Sequence, residues 1–227
     1  MLNLVAASAF FLLIHFVVSG TTLRDALIAR LGPGRYRGAF ALASLLGLGW
    51  MIYAFRRAPG IPLWGFVPGL RPAAYVLVFI AFLFAVIGVT TPSPTRVGME
   101  SKLMQGPDIA RGIVRITRHP FLWGVALWAL VHLAVNGDLA SLVLFGSLLV
   151  LSLGGTLSID AKRRRAFGDH WRQFAAVTSS VPFMAIASGK NRLGTTLGEI
   201  GAWRVLAAVV IYAVAFYLHG RLGPPLT

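Results

Sequence analysis

The sequence has no cysteine and few acidic residues. Without cysteine, the chain cannot form a disulfide, bind a metal through thiolates or use a sulfur nucleophile. It has 7 Asp and Glu against 21 Lys and Arg, and charged residues make up 12% of the chain. A soluble domain keeps roughly a quarter of its residues charged, and the mean hydropathy here is +0.76. The composition therefore predicts an integral membrane protein whose main partner is the lipid bilayer.

The excess of basic residues gives a net charge of +14 at pH 7, a balance often associated with nucleic-acid binding. In this sequence, however, the positive side chains lie between apolar runs. That pattern is typical of loops that contact anionic lipid and fix membrane topology. We therefore expect no nucleic-acid partner.

Six apolar runs approach the ~20 helical residues that cross ~30 Å of hydrocarbon. They predict an all-α fold, a polytopic membrane helical bundle with about six transmembrane helices. We expect one integral-membrane domain over residues 1–227. The runs are residues 4–20, 38–55, 73–89, 120–136, 139–158 and 201–219.

The loops between these runs differ strongly in positive charge. Sixteen Lys and Arg side chains lie in the loops that follow the first, third and fifth runs, and four lie on the opposite side. The positive-inside rule then places both termini outside the cytoplasm. In a bacterial inner membrane that side is the periplasm. The first run has no positive residue before it and no A-x-A-like site after it, so we expect it to be an uncleaved span.

Two segments near the membrane are ambiguous. Residues 108–118 place isoleucines on one helical face and arginines on another, which predicts a helix lying on the membrane surface. Residues 173–189 carry no charge but are interrupted by Thr178-Ser179-Ser180 and Pro182. We expect this second segment to be interfacial or re-entrant, and the sequence leaves both alternatives open.

Histidines are the residues most able to carry chemistry in this chain, because a titratable side chain is costly inside a membrane. Counted from the nearest basic boundary, His15 and His132 lie roughly 13 Å and 21 Å deep at 1.5 Å per helical residue. Neutral imidazole is a good ligand for haem iron. The residues favour a haem held by His15 and His132, although each histidine could instead hydrogen-bond a neighbouring helix.

Other polar and aromatic residues have two interpretations each. His119 lies at the membrane surface before Pro120 and suits an anchor or helix cap more than a ligand. Asp160 suits either a general base or a salt-bridge partner of the adjacent arginines. Trp128 packs either on a cofactor or in the core. Residues 162–165 suit a topology signal or, less well, an anion site. His170 is expected to be solvated, His219 interfacial, and three tryptophans are expected to be interface anchors: Trp64, Trp171 and Trp203.

The chain resembles the NnrU family of membrane proteins, which includes the plant 15-cis-ζ-carotene isomerase. The resemblance covers nearly the whole length. It rests on these segments: Leu12-Leu13-Ile14-His15, Ser19-Gly20, Tyr36-Arg37, Arg115-Ile116-Thr117-Arg118-His119-Pro120, Trp128-Ala129-Leu130-Val131-His132 and Thr178-Ser179-Ser180-Val181-Pro182-Phe183.

The resemblance implies haem b, with His15 and His132 at the positions of the two iron ligands. It also implies a cofactor-binding motif around Arg118, His119 and Trp128. In the plant branch of the family a cysteine lies three residues before the second histidine, where this chain has Ala129, so a ligand switch through sulfur is not available here. There are also extra residues after His15 compared with the plant spacing.

The family resemblance implies two functions. One is the denitrification of the bacterial branch, which concerns nitrite and nitric oxide metabolism and a small apolar or gaseous ligand. The other is haem-dependent cis-trans isomerisation of a polyene. Whether the chain is an enzyme is left open. The resemblance assigns no catalytic residue, and the sequence does not predict the oligomeric state.

A weaker resemblance connects Arg118-His119-Pro120 and residues 165–171 with membrane isoprenylcysteine methyltransferases, which use S-adenosylmethionine. Those enzymes carry two adjacent acidic residues where this chain has Ile159-Asp160. A non-enzymatic alternative is a small scaffold or transporter whose histidines relay protons.

Overall fold

A computed structural model describes residues 1–222, and these fold into helices joined by turns and short 3-10 segments. The first helix, α1, runs into a π-helical turn at Ile14–Val18, and 3-10 turns lie at Pro68–Leu70, Glu100–Gln105 and Pro107–Ile109. The α-helices are α1 (Leu2–Leu13), α2 (Leu23–Leu31), α3 (Pro33–Arg56), α4 (Arg71–Thr90), α5 (Ile113–Ile116), α6 (Pro120–Asn136), α7 (Leu139–Val177), α8 (Met184–Ala187), α9 (Leu193–Gly198) and α10 (Ala202–Leu222).

These elements confirm the predicted all-helical membrane bundle, because every predicted apolar run lies largely within helical structure. Four helical stretches are long and apolar enough to cross a membrane. A fifth span is obtained if α1 with its π-helical turn is counted together with α2, which is bent from it by 79°. Helix α6 has 17 residues and falls among the shorter apolar helices. The count of six spans therefore stays a prediction.

Residues 1–74 and 129–159 form one compact unit. In it, α1 packs on α3, where Gly47 lies against the rings of Phe10 and Phe11. The indole of Trp50 donates a hydrogen bond to the Asn3 side chain at 2.9 Å. Only two residues separate α6 from α7. The second of them, Asp138, caps α7 by accepting hydrogen bonds from the backbone and hydroxyl of Ser141.

Residues 75–128 and the described residues from 160 onward form a second compact unit. Here α4 and α6 approach closely, because a Cβ on Gly124 would lie 2.7 Å from the backbone oxygen of Ala81. Ile113 and Ile116 are buried in a cluster with Ile87 and Ile200. The prediction of a single domain over residues 1–227 is not tested by this division.

The two ambiguous segments are not long helices. Residues 108–118 contain a 3-10 turn and the single helical turn α5, separated at Gly112, whose φ is +54°. The predicted surface helix is therefore wrong, because its isoleucines pack inside the protein. Residues 173–177 continue α7, and the following residues include only the one-turn helix α8. No helix spans 173–189, while the choice between interfacial and re-entrant stays open.

Candidate functional site

His15 lies in the π-helical turn that extends α1. Its Nδ1 donates a hydrogen bond to the carbonyl of Phe11 at 2.7 Å, because a carbonyl oxygen can only accept. In the neutral ring, this bond places the proton on Nδ1 and the lone pair on Nε2. The imidazole also contacts the rings of Phe11 and Phe40, with centroids 4.5 and 5.2 Å away. Gly20 follows this turn, and a Cβ there would lie 2.1 Å from the Phe16 oxygen.

His132 lies on α6, in the same compact unit as His15. Its ring is stacked on Phe145 of α7, with centroids 4.9 Å apart and planes at 29°. Phe145 in turn contacts the edge of Phe55 on α3. His15 and His132 are both half-buried. Each imidazole is thus held by aromatic rings.

Imidazoles with aromatic neighbours are the kind of side chains that a haem would require. Among the described residues, no group of three or more His, Asp or Glu side chains could hold a metal ion. A porphyrin would supply four nitrogens of its own, so the two imidazoles would suffice as the protein ligands of a haem. A histidine that binds a metal through one ring nitrogen usually donates a hydrogen bond from the other to a carbonyl or carboxylate. The Phe11 carbonyl accepts such a bond from His15. Their roles as iron ligands stay predictions.

His119 and Arg118 meet on one carboxylate, that of Asp160 on α7. Nε2 of His119 lies 2.6 Å from Oδ1 of Asp160. The Arg118 guanidinium donates to both carboxylate oxygens, at 2.8 Å from Nη2 to Oδ2 and 3.2 Å from Nε to Oδ1. Such a two-pronged pair keeps the carboxylate ionised. The ring of Trp171 also packs against this pair, and its centroid lies 5.4 Å from the Arg118 guanidinium carbon.

Backbone contacts hold this cluster in place. The Arg118 amide donates to the carbonyl of Ser179 at 2.9 Å, and the Thr117 hydroxyl donates to the carbonyl of Ser180 at 2.6 Å. The indole of Trp123 donates to the same Ser180 carbonyl at 2.7 Å. The motif that precedes α6 is therefore tied to the segment after α7.

His119 is a buried base. Its side chain is 1% exposed, and burial lowers the pKa of its imidazole below the ordinary value, against the opposing effect of Asp160. Since Nε2 donates to Asp160, the lone pair is on Nδ1. That atom is buried, and none of the described groups hydrogen-bonds to it. A neutral imidazole oriented by a carboxylate can accept a proton at this nitrogen.

Trp128 lines an apolar groove of about 380 Å³ between α4, α6 and α10. Thr90 is also in the lining, but its hydroxyl is bonded to backbone carbonyls of its own helix. The other lining side chains that matter here are Phe82, Phe121, Val125 and Ile211. The groove suits an apolar chain or ring.

Three sequence interpretations are wrong in this region. Asp160 does not pair with the arginines adjacent to it but with Arg118 and His119. His119 is not a surface anchor, because it is buried. Trp171 is not an interface anchor, since it is 2% exposed and packs in a core with Phe174.

Within the basic run 162–165, Arg163 is buried and bonded to the Pro94 carbonyl and to Glu100. His170, His219, Trp64 and Trp203 are exposed, and their solvated or interfacial positions stay predictions.

A family model described as "NnrU protein" matches residues 3–225. The chain belongs to the NnrU family. The chain is 30% identical over 197 residues to the 15-cis-zeta-carotene isomerase, chloroplastic, of Arabidopsis thaliana, which is 83% of this chain and 52% of that protein. It is 28% identical over 179 residues to the protein of the same description from Zea mays, which is 76% of this chain and 47% of that protein.

The NnrU chain thus spans about half the length of the curated relatives that it matches. No solved structure matches it. These matches confirm the resemblance predicted from the sequence motifs. The sequence did not reveal that Asp160 is the shared partner of Arg118 and His119. Its only signal was an acid at the end of an apolar run.

Proposed function

We propose that this chain is a haem b-binding integral membrane protein of the NnrU family, with His15 and His132 as the iron ligands. The observation that carries the proposal is the hydrogen bond from Nδ1 of His15 to the Phe11 carbonyl within a π-helical turn. The bond fixes the tautomer that a ligand histidine needs. π-helical turns inside α-helices are frequent at functional sites.

The protein residues have distinct tasks in this proposal. Haem supplies one-electron chemistry when bound. His15 and His132 orient it, and the rings of Phe40 and Phe145 hold the two imidazoles in place. His15 and His132 would hold the haem through their imidazole nitrogens.

The decisive experiment is an absorption spectrum of the purified protein in detergent, before and after reduction. We expect a sharp Soret band and acid-acetone extraction of protohaem, because no C-x-x-C-H is present to attach the porphyrin covalently. His15→Ala and His132→Ala together should remove at least nine-tenths of the haem at about equal protein yield. His170→Ala, at an exposed histidine, is the matched control and should keep it. Full haem in the double variant overturns the ligand assignment.

We further propose that the chain acts in denitrification, on nitrite or nitric oxide, from a bacterial inner membrane with both termini in the periplasm. The family resemblance and the charge difference between the loops support this. Nitric oxide should shift the Soret band of the reduced protein. A C-terminal reporter that is active only in the cytoplasm should be silent, and its activity would reverse the topology.

The second candidate is a haem-dependent cis-trans isomerase of 15-cis-ζ-carotene or another polyene. The groove lined by Trp128 supports it, because it is apolar and open to a long chain. The two plant relatives are described as 15-cis-zeta-carotene isomerases, which supports the same substrate class. Haem-loaded protein should change the isomer profile of tri-cis-ζ-carotene. An unchanged isomer profile with haem bound would discard this candidate.

The methyltransferase alternative stays a prediction, and Arg118 and His119 both bind Asp160 rather than facing an open site.

A further inference from the structure

The groove between α4, α6 and α10 lies within the second unit, and its shape follows from the size of its side chains. Small residues line its floor, namely Ala81 and Ala85 of α4 and Gly124 of α6. Here a Cβ on Gly124 would lie 2.7 Å from backbone atoms of α4, a close approach that small residues allow between membrane helices. Phe121 and Ile211 are also in the lining and are exposed, so the groove opens on the outer surface of the unit.

The groove extends along a candidate membrane span to the end of that span. Residues 68–90 form the span that contains α4, and its last residue, Thr90, lines the groove. Ala81 also lines it, nine residues earlier and roughly 13 Å away along the helix. The groove volume of about 380 Å³ lies in the usual range of ligand sites, roughly 300–1,000 Å³. A groove that runs from the head-group region into the hydrocarbon suits an acyl chain.

A positive charge lies at the Thr90 end of this groove. Nη1 of Arg96 donates to the carbonyl of Thr91, the residue after Thr90, at 3.2 Å. A guanidinium has five N–H donors, and this bond uses one of them. No described carboxylate pairs with Arg96, since the nearest acid in sequence, Glu100, binds Arg163 instead. Arg96 therefore has charge and donors left for an anion.

We propose that the groove binds one acyl chain of an anionic phospholipid such as phosphatidylglycerol, and that the Arg96 guanidinium binds the phosphate of the same lipid. A guanidinium can hold two phosphate oxygens through parallel hydrogen bonds. A zwitterionic lipid also brings an ammonium group, whose positive charge Arg96 repels. A neutral polyene fills the apolar part of the groove but leaves Arg96 without an anion. This inference requires no haem and goes beyond the proposed function.

The test is fluorescence quenching of the full-length protein in phosphatidylethanolamine vesicles that contain a minor share of lipid with brominated acyl chains. Bromine quenches an indole on contact, and Trp128 lines the groove. Brominated phosphatidylglycerol should bind about fivefold more tightly than brominated phosphatidylethanolamine, the factor expected for one basic side chain near anionic lipid. Both lipids are compared in one preparation, so absorption by haem affects them equally. Equal quenching, which boundary lipid or a neutral occupant of the groove would give, overturns the proposal.

Three variants locate the bound lipid. Arg96→Gln should remove the preference for phosphatidylglycerol, because glutamine keeps a donor for the Thr91 carbonyl but has no charge. The control Arg35→Gln, at an exposed arginine of α3 without a described carboxylate partner, should keep the preference. Trp128→Phe should reduce quenching by phosphatidylglycerol to that by phosphatidylethanolamine. A preference that survives in Arg96→Gln overturns the phosphate contact, and an unchanged preference in Trp128→Phe places the lipid outside the groove.

Discussion

The two compact units surround their histidines in different ways. In the first unit, His15 donates a hydrogen bond to the backbone carbonyl of Phe11 in a widened helical turn, and its imidazole contacts two aromatic rings. In the second, His119 belongs to a charged cluster with Arg118 and Asp160. The first environment is mainly aromatic. The second contains fixed charges and suits proton binding.

The difference extends to how each region responds to change. The ring contacts of His15 are with Phe11 and Phe40, whose aromatic side chains can rotate. Around His119, backbone carbonyls and ion pairs fix the neighbouring groups, as the contacts of Arg118 with Ser179 and Thr178 illustrate. We therefore expect substitutions to be costly in the second unit and mild in the first.

The largest expected effect is the loss of the buried carboxylate. Asp160→Ala leaves Arg118, whose side chain is 13% exposed, without its counter-charge. Removing one partner of a buried ion pair costs about 3–5 kcal/mol. Chemical unfolding in detergent should show this loss. Asp169→Ala on the same helix is the matched control, because Asp169 and Arg172 are both 75% exposed, and it should change stability little. Similar losses for the two variants would contradict the comparison.

A matched pair of glycines gives the next largest effect. Gly124→Ala in α6 places a Cβ 2.7 Å from two backbone atoms of α4, Ala81 O and Ala85 N. Overpacking of this kind costs about 1–3 kcal/mol. Gly154→Ala in α7 meets only the end of the Phe16 ring, at 2.7 Å, and that ring can rotate away. Thermal unfolding should therefore separate the two variants, and equal melting temperatures would show that the regions are equally rigid.

Features of the fold and the site that depend on neighbouring residues could be predicted from the sequence, whereas contacts between residues far apart in sequence could not. The helices were predictable because the length and hydropathy of an apolar run are local. The Arg118–Asp160 pair was not, since 42 residues separate its members. Residues 108–118 were misassigned because Ile113 and Ile116 pack in a protein core. The spacing of apolar residues along a helix does not show whether they face a protein core or lipid. Gly112 was the local signal that this segment turns.

A smaller effect concerns the aromatic support of His15. Phe40→Leu removes the edge-on ring contact with His15 and the stacking on Tyr36, whose centroid is 6.0 Å away. Each such contact is worth about 0.5–1.5 kcal/mol. If the haem proposal is correct, haem should transfer to apomyoglobin several-fold faster from this variant. Phe216→Leu, which removes ring contacts with Tyr75 and Tyr212, should leave the transfer rate unchanged. Equal rates of haem transfer from the two variants would show that Phe40 does not support haem binding.

The smallest expected effect is a pH dependence in the second unit that does not involve a histidine. Arg115 donates to both oxygens of Glu199, at 2.8 and 3.1 Å, and Gly112 donates to one of them. These hydrogen bonds, chiefly those from Arg115, hold the pKa of Glu199 below its ordinary value. The folded carboxylate stays ionised at pH values where the unfolded one takes up a proton. Its contribution to stability is therefore complete above the unfolded pKa, near 4.3, and is lost as the pH falls through the lower folded pKa.

Glu199→Gln should flatten the fall in stability between pH 5 and pH 3, measured by unfolding in detergent at each pH. Asp25→Asn is the control, because the Asp25 side chain is 68% exposed and its pairing with Arg24 contributes little. It should keep the wild-type pH profile. If Glu199→Gln keeps that profile too, acid sensitivity does not arise from this ion pair. The fall would then come from other groups of the second unit, with His119 first among them, because a buried neutral imidazole also loses stability on acidification.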